Sequence, residues 1–176
     1  SGSDRIAEAI KKIDPEGVFD RVINLQSDVP TIPSSYLVRV AAILDNSHVD
    51  IGSLVAPAKT SDIDNPNVVK VAVSLQNKSG CGRALYFSRS VIPANKGIYY
   101  HHIGVYAYRR VALESFTVQP QSILEKREAL EQLRALEMGM RIDVALVDSV
   151  PISVDTPEDL VEARRYFDNT PGYKLT

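Results

Sequence analysis

The chain has 176 residues, 44% of them hydrophobic and 24% charged, with a net charge of −2 at pH 7. This balance is typical of one globular domain and excludes a disordered or fibrous chain. The charge excludes a basic nucleic-acid surface, and no apolar run is long enough for a membrane span, so neither nucleic acid nor membrane insertion is expected. The single cysteine, Cys81, rules out an internal disulfide and favours a cytoplasmic location.

Hydrophobic periodicity in the first third of the chain predicts two helices and two strands. The predicted elements are a helix capped by Asp4 and ended by Pro15, a buried strand over 18–25, a polar turn over 26–30, a helix from Ser34 to Leu44 and a strand over 51–56.

The middle of the chain favours strands over 68–74, 84–87 and 99–108, with a hairpin at 77–80 joining the first two. A capping box of Ser122 and Glu125 then predicts one helix that runs to Gly139. A strand over 142–147, a helix that begins at Thr156 and a frayed tail over 169–172 complete the pattern. We therefore expect a single α/β domain with a β-rich insertion in its middle.

Two aspartates lie where ligands bind in open α/β sheets. Asp28 follows the first predicted strand and Asp155 lies at a strand-to-helix junction. Converging carboxylates suit Mg²⁺, which takes oxygen ligands and works with substrate phosphates. The alternative is structural, because Asp in a turn bonds its own backbone and Asp155 can support the start of a helix.

A second group of candidates lies on the long predicted strand and near it. His102, Gly104 and Tyr106 share one strand face, with His101 on the other, and the glycine would let a ligand approach the backbone. Arg89 ends a strand and can hold a carboxylate with two hydrogen bonds. A half-exposed strand and a solvated arginine are the alternatives. No Walker loop, GxSxG elbow or GxGxxG is present.

The sequence resembles the CMP-Kdo synthetases, or 3-deoxy-manno-octulosonate cytidylyltransferases, where Kdo is 3-deoxy-manno-octulosonate. Seven segments carry the resemblance in the family's order and cover nearly the whole chain: residues 1–5 (SGSDR), 24–30 (NLQSDVP), 65–70 (NPNVVK), 84–93 (ALYFSRSVIP), 102–109 (HIGVYAYR), 124–126 (LEK) together with 130–134 (LEQLR), and 154–160 (VDTPEDL).

The resemblance implies a nucleotide-diphospho-sugar transferase-like α/β sandwich with a mixed central sheet, and a homodimer. It implies transfer of CMP from CTP to Kdo with release of pyrophosphate, which activates Kdo for lipopolysaccharide biosynthesis. By the same resemblance, Asp28 and Asp155 are the catalytic Mg²⁺ ligands, and Ser1 and Gln26 contact the nucleotide. The sugar-acid pocket is then formed by Arg89, His102, Tyr106, Glu131 and Gln132.

The sequence also departs from the family pattern. Ser27 and Val29 stand where Gly and Glu are usual, and the family's N-terminal strand and phosphate-gripping loop have no counterpart, so the domain over 1–176 is expected to be incomplete at its N-terminus. Three alternatives therefore stay open. They are an inactive sugar-acid-binding or dimerisation fragment, a cytidylyltransferase for another acidic sugar such as a sialic acid, and a magnesium-dependent phosphohydrolase.

Overall fold

The computed structural model describes residues 2–76, 80–154 and 156–170. Seven helices and six strands are found in these residues. The helices are α1 (Gly2–Ile13), α2 (Ser34–Ala42), α3 (Thr60–Ile63), α4 (Arg110–Thr117), α5 (Ile123–Glu128), α6 (Gln132–Glu137) and α7 (Pro157–Asp168), and a 3-10 turn over Ile43–Asp45 follows α2. The strands are β1 (Arg21–Asn24), β2 (Ile51–Pro57), β3 (Lys70–Gln76), β4 (Cys81–Ser88), β5 (Tyr100–Arg109) and β6 (Ile142–Leu146).

The six strands form one mixed sheet in the order β1-β5-β2-β6-β4-β3, and β3 also pairs with the start of β5. Only β2 and β6 pair in parallel, and the other pairings are antiparallel. The β-rich middle of the chain is therefore part of the central sheet. Among the described residues, no helix is long and apolar enough to cross a membrane.

Two hydrophobic cores lie on opposite faces of this sheet, since neighbouring residues of β2 point into different cores. Val55 packs in the core that includes Leu113 and Phe116 of α4 and Leu133 of α6. Leu54 packs in the core that includes Val40 of α2. The arrangement is a helix-sheet-helix sandwich, and it confirms the expected α/β class.

Two predicted elements differ from the structure. The strand predicted over 18–25 is the shorter edge strand β1, in which alternate residues are buried. It begins later than predicted because the N–H groups of Val18 and Phe19 donate to the Asp14 carboxylate. The helix expected to run from Ser122 to Gly139 breaks at Ala129, which has φ of 54° and ψ of 47°. This left-handed residue ends α5, and α6 begins three residues later.

The helix ends are otherwise close to prediction. Ser122 and Glu125 form the expected capping box on α5. Thr156 caps α7 with Pro157 in the first turn, and a second capping box joins Thr156 to Asp159. Asp4 does not cap α1, because the helix already begins at Gly2 and includes Asp4 in its first turn. The predicted hairpin residues 77–79 lie outside the described residues.

A bulge in β5 shapes the region described below. Gly52 of β2 pairs with Ala107, whereas Leu54 pairs with Ile103, so Ser53 alone faces the three residues 104–106. Bulges of this kind bend a strand and redirect its side chains, often beside an active site.

Candidate active site

One cleft of about 460 Å³ collects the predicted site residues from four separate parts of the chain. The predicted residues that line it are Gln26, Asp28, Arg89, His102, Tyr106, Glu131 and Gln132. Ser1 and Asp155, the other two predicted site residues, lie outside the described residues. A larger cleft of about 580 Å³ borders the loop after β1 and the side chains of α7, and Gln26 is the one predicted residue that it shares.

Arg89 follows the end of β4 and is held by two backbone carbonyls. Its Nε donates to the Glu128 carbonyl at 3.1 Å, and its Nη1 donates to the Pro66 carbonyl at 3.1 Å. No carboxylate of the described residues forms an ion pair with the guanidinium. Carbonyls fix the orientation of the group without cancelling its charge, so its remaining N–H groups suit a carboxylate ligand.

Lys70 supports this arrangement through hydrogen bonds to backbone carbonyls. It is fully buried, and its ammonium donates to the carbonyls of Asn65 at 2.9 Å, Val68 at 2.7 Å and Arg89 at 2.5 Å. Burial lowers its pKa against the opposing effect of nearby carboxylates. Lys70 thus links two backbone segments, the loop over 65–68 that contains Pro66 and the backbone of Arg89. It supports the guanidinium of Arg89 and the Pro66 acceptor through these backbone contacts.

His102 lies in the floor of the cleft, and only 8% of its surface is exposed. Burial lowers its pKa to about 3, so the imidazole is neutral at physiological pH. Its Nε2 lies 2.9 Å from the Ser53 hydroxyl. The ring packs edge-on against Phe87, with ring centroids 5.0 Å apart, and beside Tyr106 at 5.5 Å. These contacts fix the position of the ring.

Tyr106 and Gly104 form the rest of the floor on β5. Burial raises the pKa of Tyr106 well above its usual value, so its hydroxyl stays protonated and can donate to a ligand. A Cβ built on Gly104 would have no atom within 4 Å. His101 also borders the cleft, although strand alternation places it on the opposite face, and its Nδ1 lies 3.8 Å from Asp62 Oδ2.

Glu131 and Gln132 border the cleft where α5 breaks and α6 begins, so they lie at the start of a helix and not inside one. Glu131 is oriented by two groups, because its Oε2 accepts from Ser3 Oγ at 2.9 Å and its Oε1 from Arg134 Nη2 at 3.4 Å. Each carboxylate oxygen has further acceptor capacity, which a sugar hydroxyl can use.

Arg134 is itself buried and strongly paired. Its Nε and Nη2 each donate to the Glu125 carboxylate at 2.8 Å, and its guanidinium lies 4.4 Å from the centroid of the Phe116 ring. The Glu125 carboxylate also accepts the Ser122 N–H of the capping box. The helix cap, the salt bridge and the Glu131 side chain therefore form one connected network.

Asp28 lies in the turn after β1 with a side-chain oxygen in need of a partner. Its Oδ1 is buried and has no hydrogen-bond partner in the part of the chain that the structure describes. Its carbonyl accepts the Val154 N–H at 2.7 Å, and Thr31 bonds the backbone of Ile152 in the same loop. An orphaned carboxylate oxygen in a polar cleft fits a hard cation. Within the described ranges, no cluster of three or more His, Cys, Asp or Glu could hold a metal.

Gln26 lies beside the beginning of the chain. A Cβ built on Gly2 would lie 3.6 Å from Gln26 Nε2, so the two segments predicted to contact a nucleotide are neighbours. The arrangement supplies a cationic anchor, neutral hydrogen-bonding groups and a free carboxylate oxygen within one cleft. It can bind an acidic polyhydroxylated ligand next to a cation.

Three residues that the sequence predictions missed support this site: Ser3, Ser53 and Lys70. Ser53 and Lys70 each interrupt an apolar strand, over 51–56 and 68–73. A polar residue there needs internal partners, and that anomaly is a signal in the sequence. No local pattern links Ser3 to Glu131, which lies 128 positions further along the chain.

The chain is similar to known proteins over most of its length. The family model described as cytidylyltransferase matches residues 1–142. The 3-deoxy-manno-octulosonate cytidylyltransferase of Paramagnetospirillum magneticum is 56% identical over 165 residues, which cover 93% of this chain and 67% of the relative. The enzyme of the same name from Rhizobium leguminosarum bv. trifolii is 50% identical over 178 residues, with 98% and 68% covered.

A solved structure of CMP:2-keto-3-deoxy-manno-octonic acid synthetase complexed with CTP is also similar. It superposes with a TM-score of 0.84 at 34% identity and covers 96% of this chain and 68% of that one. The chain thus spans about two thirds of the length of these relatives.

Proposed function

Because the chain belongs to the cytidylyltransferase family, we propose that it activates Kdo by transferring CMP from CTP to this acidic sugar, with release of pyrophosphate. The observation that carries the proposal is the guanidinium of Arg89, which borders the cleft, is fixed by two carbonyls and has no carboxylate partner among the described residues. A sugar acid supplies that partner. The neutral groups of the floor then match its hydroxyls.

In the proposed reaction the anomeric hydroxyl of Kdo attacks the α-phosphate of CTP and releases its proton to water, the bond from that phosphorus to the pyrophosphate oxygen breaks, and pyrophosphate leaves. Arg89 holds the Kdo carboxylate, while His102, Tyr106, Glu131 and Gln132 hold hydroxyls. Gln26 and Ser1 contact the nucleotide. The contacts to the sugar orient the attacking oxygen and those to the nucleotide orient the α-phosphate, and orientation supplies much of the rate enhancement in phosphoryl-group chemistry.

Asp28 and Asp155 would hold Mg²⁺, which stabilises the charge that develops on the phosphate oxygens. The orphaned Oδ1 of Asp28 supports this assignment, and so does the bond from Val154 to the Asp28 carbonyl, because Val154 directly precedes Asp155. The proposal also includes a homodimer, a place in lipopolysaccharide biosynthesis and a cytoplasmic location. Light scattering of the purified protein tests the dimer.

Pyrophosphate release from CTP tests the activity. We expect release with Kdo and Mg²⁺, and much less with N-acetylneuraminate, a sialic acid. Preference for the sialic acid would change the proposed substrate. Binding of Kdo without pyrophosphate release would favour the inactive-fragment alternative, and an intact mass of the natural protein would then show whether the 176-residue chain is its whole length.

One variant tests the role of the metal site independently of sugar binding. Asp28→Asn should abolish Mg²⁺-dependent release and keep Kdo binding, because the Arg89 anchor is untouched. Asp148→Asn, at an exposed aspartate, is the matched control and should behave as the unmodified chain. Normal turnover of Asp28→Asn would remove Asp28 from the metal site.

A further inference from the structure

We propose that Ser53 is a positioning residue for the transfer reaction: its hydroxyl holds the His102 imidazole in the tautomer with the proton on Nε2, so that Nδ1 accepts a hydrogen bond from a hydroxyl of the sugar. The identity of that ligand rests on the proposed function. The tautomer itself follows from the contacts of Ser53 and His102 and needs no ligand.

The tautomer is fixed by counting protons. Ser53 Oγ lies 2.9 Å from the Val105 carbonyl and 3.2 Å from the Ile103 carbonyl, and these oxygens only accept. A hydroxyl has one proton, and if Ser53 gave it to Nε2 its bare oxygen would face both carbonyl oxygens. The proton is therefore shared between the two carbonyls, and the lone pairs of Ser53 Oγ face His102 Nε2 at 2.9 Å. Nε2 must therefore carry the proton, because two bare acceptors at this distance would repel each other.

The bulge in β5 explains why a serine occupies this place. Ser53 is the single β2 residue opposite residues 104–106, and it is fully buried. A bulge leaves strand carbonyls without ladder partners, and the Ser53 hydroxyl satisfies those of Ile103 and Val105. One hydroxyl thus closes the bulge and orients the histidine beside it.

The second ring nitrogen remains for the ligand. In a neutral imidazole with Nε2 protonated, Nδ1 is an acceptor, and no described residue donates to it. His102 borders the cleft together with Arg89 and Glu131. An acceptor at this place pairs with a sugar hydroxyl that donates, whereas a sugar lacking that hydroxyl would leave Nδ1 desolvated and unpaired.

Nitrogen NMR of the chain labelled with ¹⁵N-histidine tests the tautomer without any substrate. The chain has three histidines, and His101→Gln and His102→Gln assign the signals. We expect the His102 pattern of a protonated Nε2 and a bare Nδ1, and a change at Nδ1 when Kdo is added. Protonation on Nδ1 in the unmodified protein would overturn the inference, whatever the enzyme's substrate.

Ser53→Ala tests the positioning role. It removes the acceptor of the Nε2 proton, so we expect the two ring-nitrogen signals to move toward the average of exchanging tautomers and the dissociation constant for Kdo to rise about tenfold. Ser74→Ala, on an exposed serine of β3, is the matched control and should change neither. Unaltered ring signals and Kdo affinity in Ser53→Ala would overturn the positioning role.

The experiments also separate this inference from the proposed function. If the unmodified chain fails to bind Kdo but shows the Nε2-protonated pattern, the proposed function fails and the tautomer stands. If Kdo binds without any change at His102 Nδ1, the proposed function stands and the inferred contact fails. The NMR measurement on the unmodified protein decides the tautomer even if Ser53→Ala does not fold.

Discussion

Two cationic centres adjoin the cleft, and they differ in the groups that face their charge. The carboxylate-bound centre is Arg134, which is paired with Glu125 and in contact with Glu131. The carbonyl-bound centre consists of Lys70 and Arg89, whose donors go to backbone carbonyls. Carboxylates cancel a positive charge, whereas carbonyls satisfy its hydrogen bonds and leave the charge in place.

Under the proposed function, this difference distinguishes a structural role for Arg134 from a binding role for Arg89. At Arg134 the charge is neutralised within the protein, and the result is a rigid support for Glu131 and for the junction of α5 and α6. At Arg89 the Glu128 carboxylate accepts the backbone N–H, whereas the guanidinium is oriented without an ion-pair partner among the described residues and can pair with an anionic ligand. The hydrogen-bond acceptors around a cationic side chain thus indicate its role better than the residue type does.

Removing the carboxylate-bound centre should have the largest effect on stability. Arg134→Met leaves Glu125 buried and unpaired, so we expect the free energy of unfolding to fall by about 3–5 kcal/mol. Denaturant titration measures it, and Arg83→Met, at an exposed arginine of β4, is the control. The double variant with Glu125→Leu should recover part of the loss, and a loss below about 1 kcal/mol would contradict the network.

Removing the cleft-facing charge should act on binding. Arg89→Gln deletes the charged donors, and we expect the Kdo dissociation constant to rise about 100-fold, with a smaller loss of stability than in Arg134→Met. Calorimetric titration with Kdo measures the affinity. Arg83→Gln is the matched control. Equal affinity in Arg89→Gln and the unmodified chain would remove Arg89 from the anchor.

The neutral imidazole of His102, near the carbonyl-bound centre, predicts that the free energy of unfolding depends on pH. The His102 pKa is about 3 in the folded chain and about 6.5 when unfolded, so the unfolded state binds more protons between these values. Stability should fall as the pH drops through this window, by about 2–3 kcal/mol between pH 7 and pH 4.5 from this residue alone. Denaturant titrations at both pH values should give a shallower dependence for His102→Gln, and identical slopes would contradict the buried neutral ring.

Lys70→Met tests whether Lys70 helps to position Arg89 within the carbonyl-bound centre. Met has a similar length but cannot donate to the three carbonyls, so the loop with Pro66 and the backbone of Arg89 lose their common support. We expect about tenfold weaker Kdo binding by calorimetry, since Arg89 remains but is less well positioned. Full affinity would show that Arg89 is oriented without Lys70.

The smallest expected effect comes from a single methyl group added at Gly104, which lines the cleft. Gly104 has no positive φ and no atom near its added Cβ, so Gly104→Ala should raise the free energy of unfolding by about 0.5–1 kcal/mol. The methyl would enter the cleft and weaken Kdo binding about fivefold. Gly97→Ala, where a Cβ also meets nothing within 4 Å, should leave Kdo binding unchanged. If Gly104→Ala binds Kdo normally, the sugar does not approach this strand.

Local signals predicted much of the fold. The capping boxes of α5 and α7 follow from residues three positions apart, and the strands follow from apolar runs of fitting length. The break at Ala129 escaped prediction, because no Gly or Pro marks it and Leu130, Leu133 and Leu136 keep a helical spacing directly after it. Alanine in a left-handed conformation is disfavoured by its own sterics and persists because the surrounding packing and hydrogen bonds hold it.

For the candidate site, the sequence by itself determined which residue types were available and, through the resemblance of seven ordered segments, which positions to combine. The tertiary structure decided which acceptors meet each donor. Ser53 closes a bulge, Lys70 binds three carbonyls and Ser3 reaches Glu131 through contacts that join distant segments of the folded chain. Helix and strand propensity and helix capping depend on a few neighbouring residues, so a short stretch of sequence reveals them. Hydrogen bonds between distant segments depend on strand register and packing, which are determined by the whole chain.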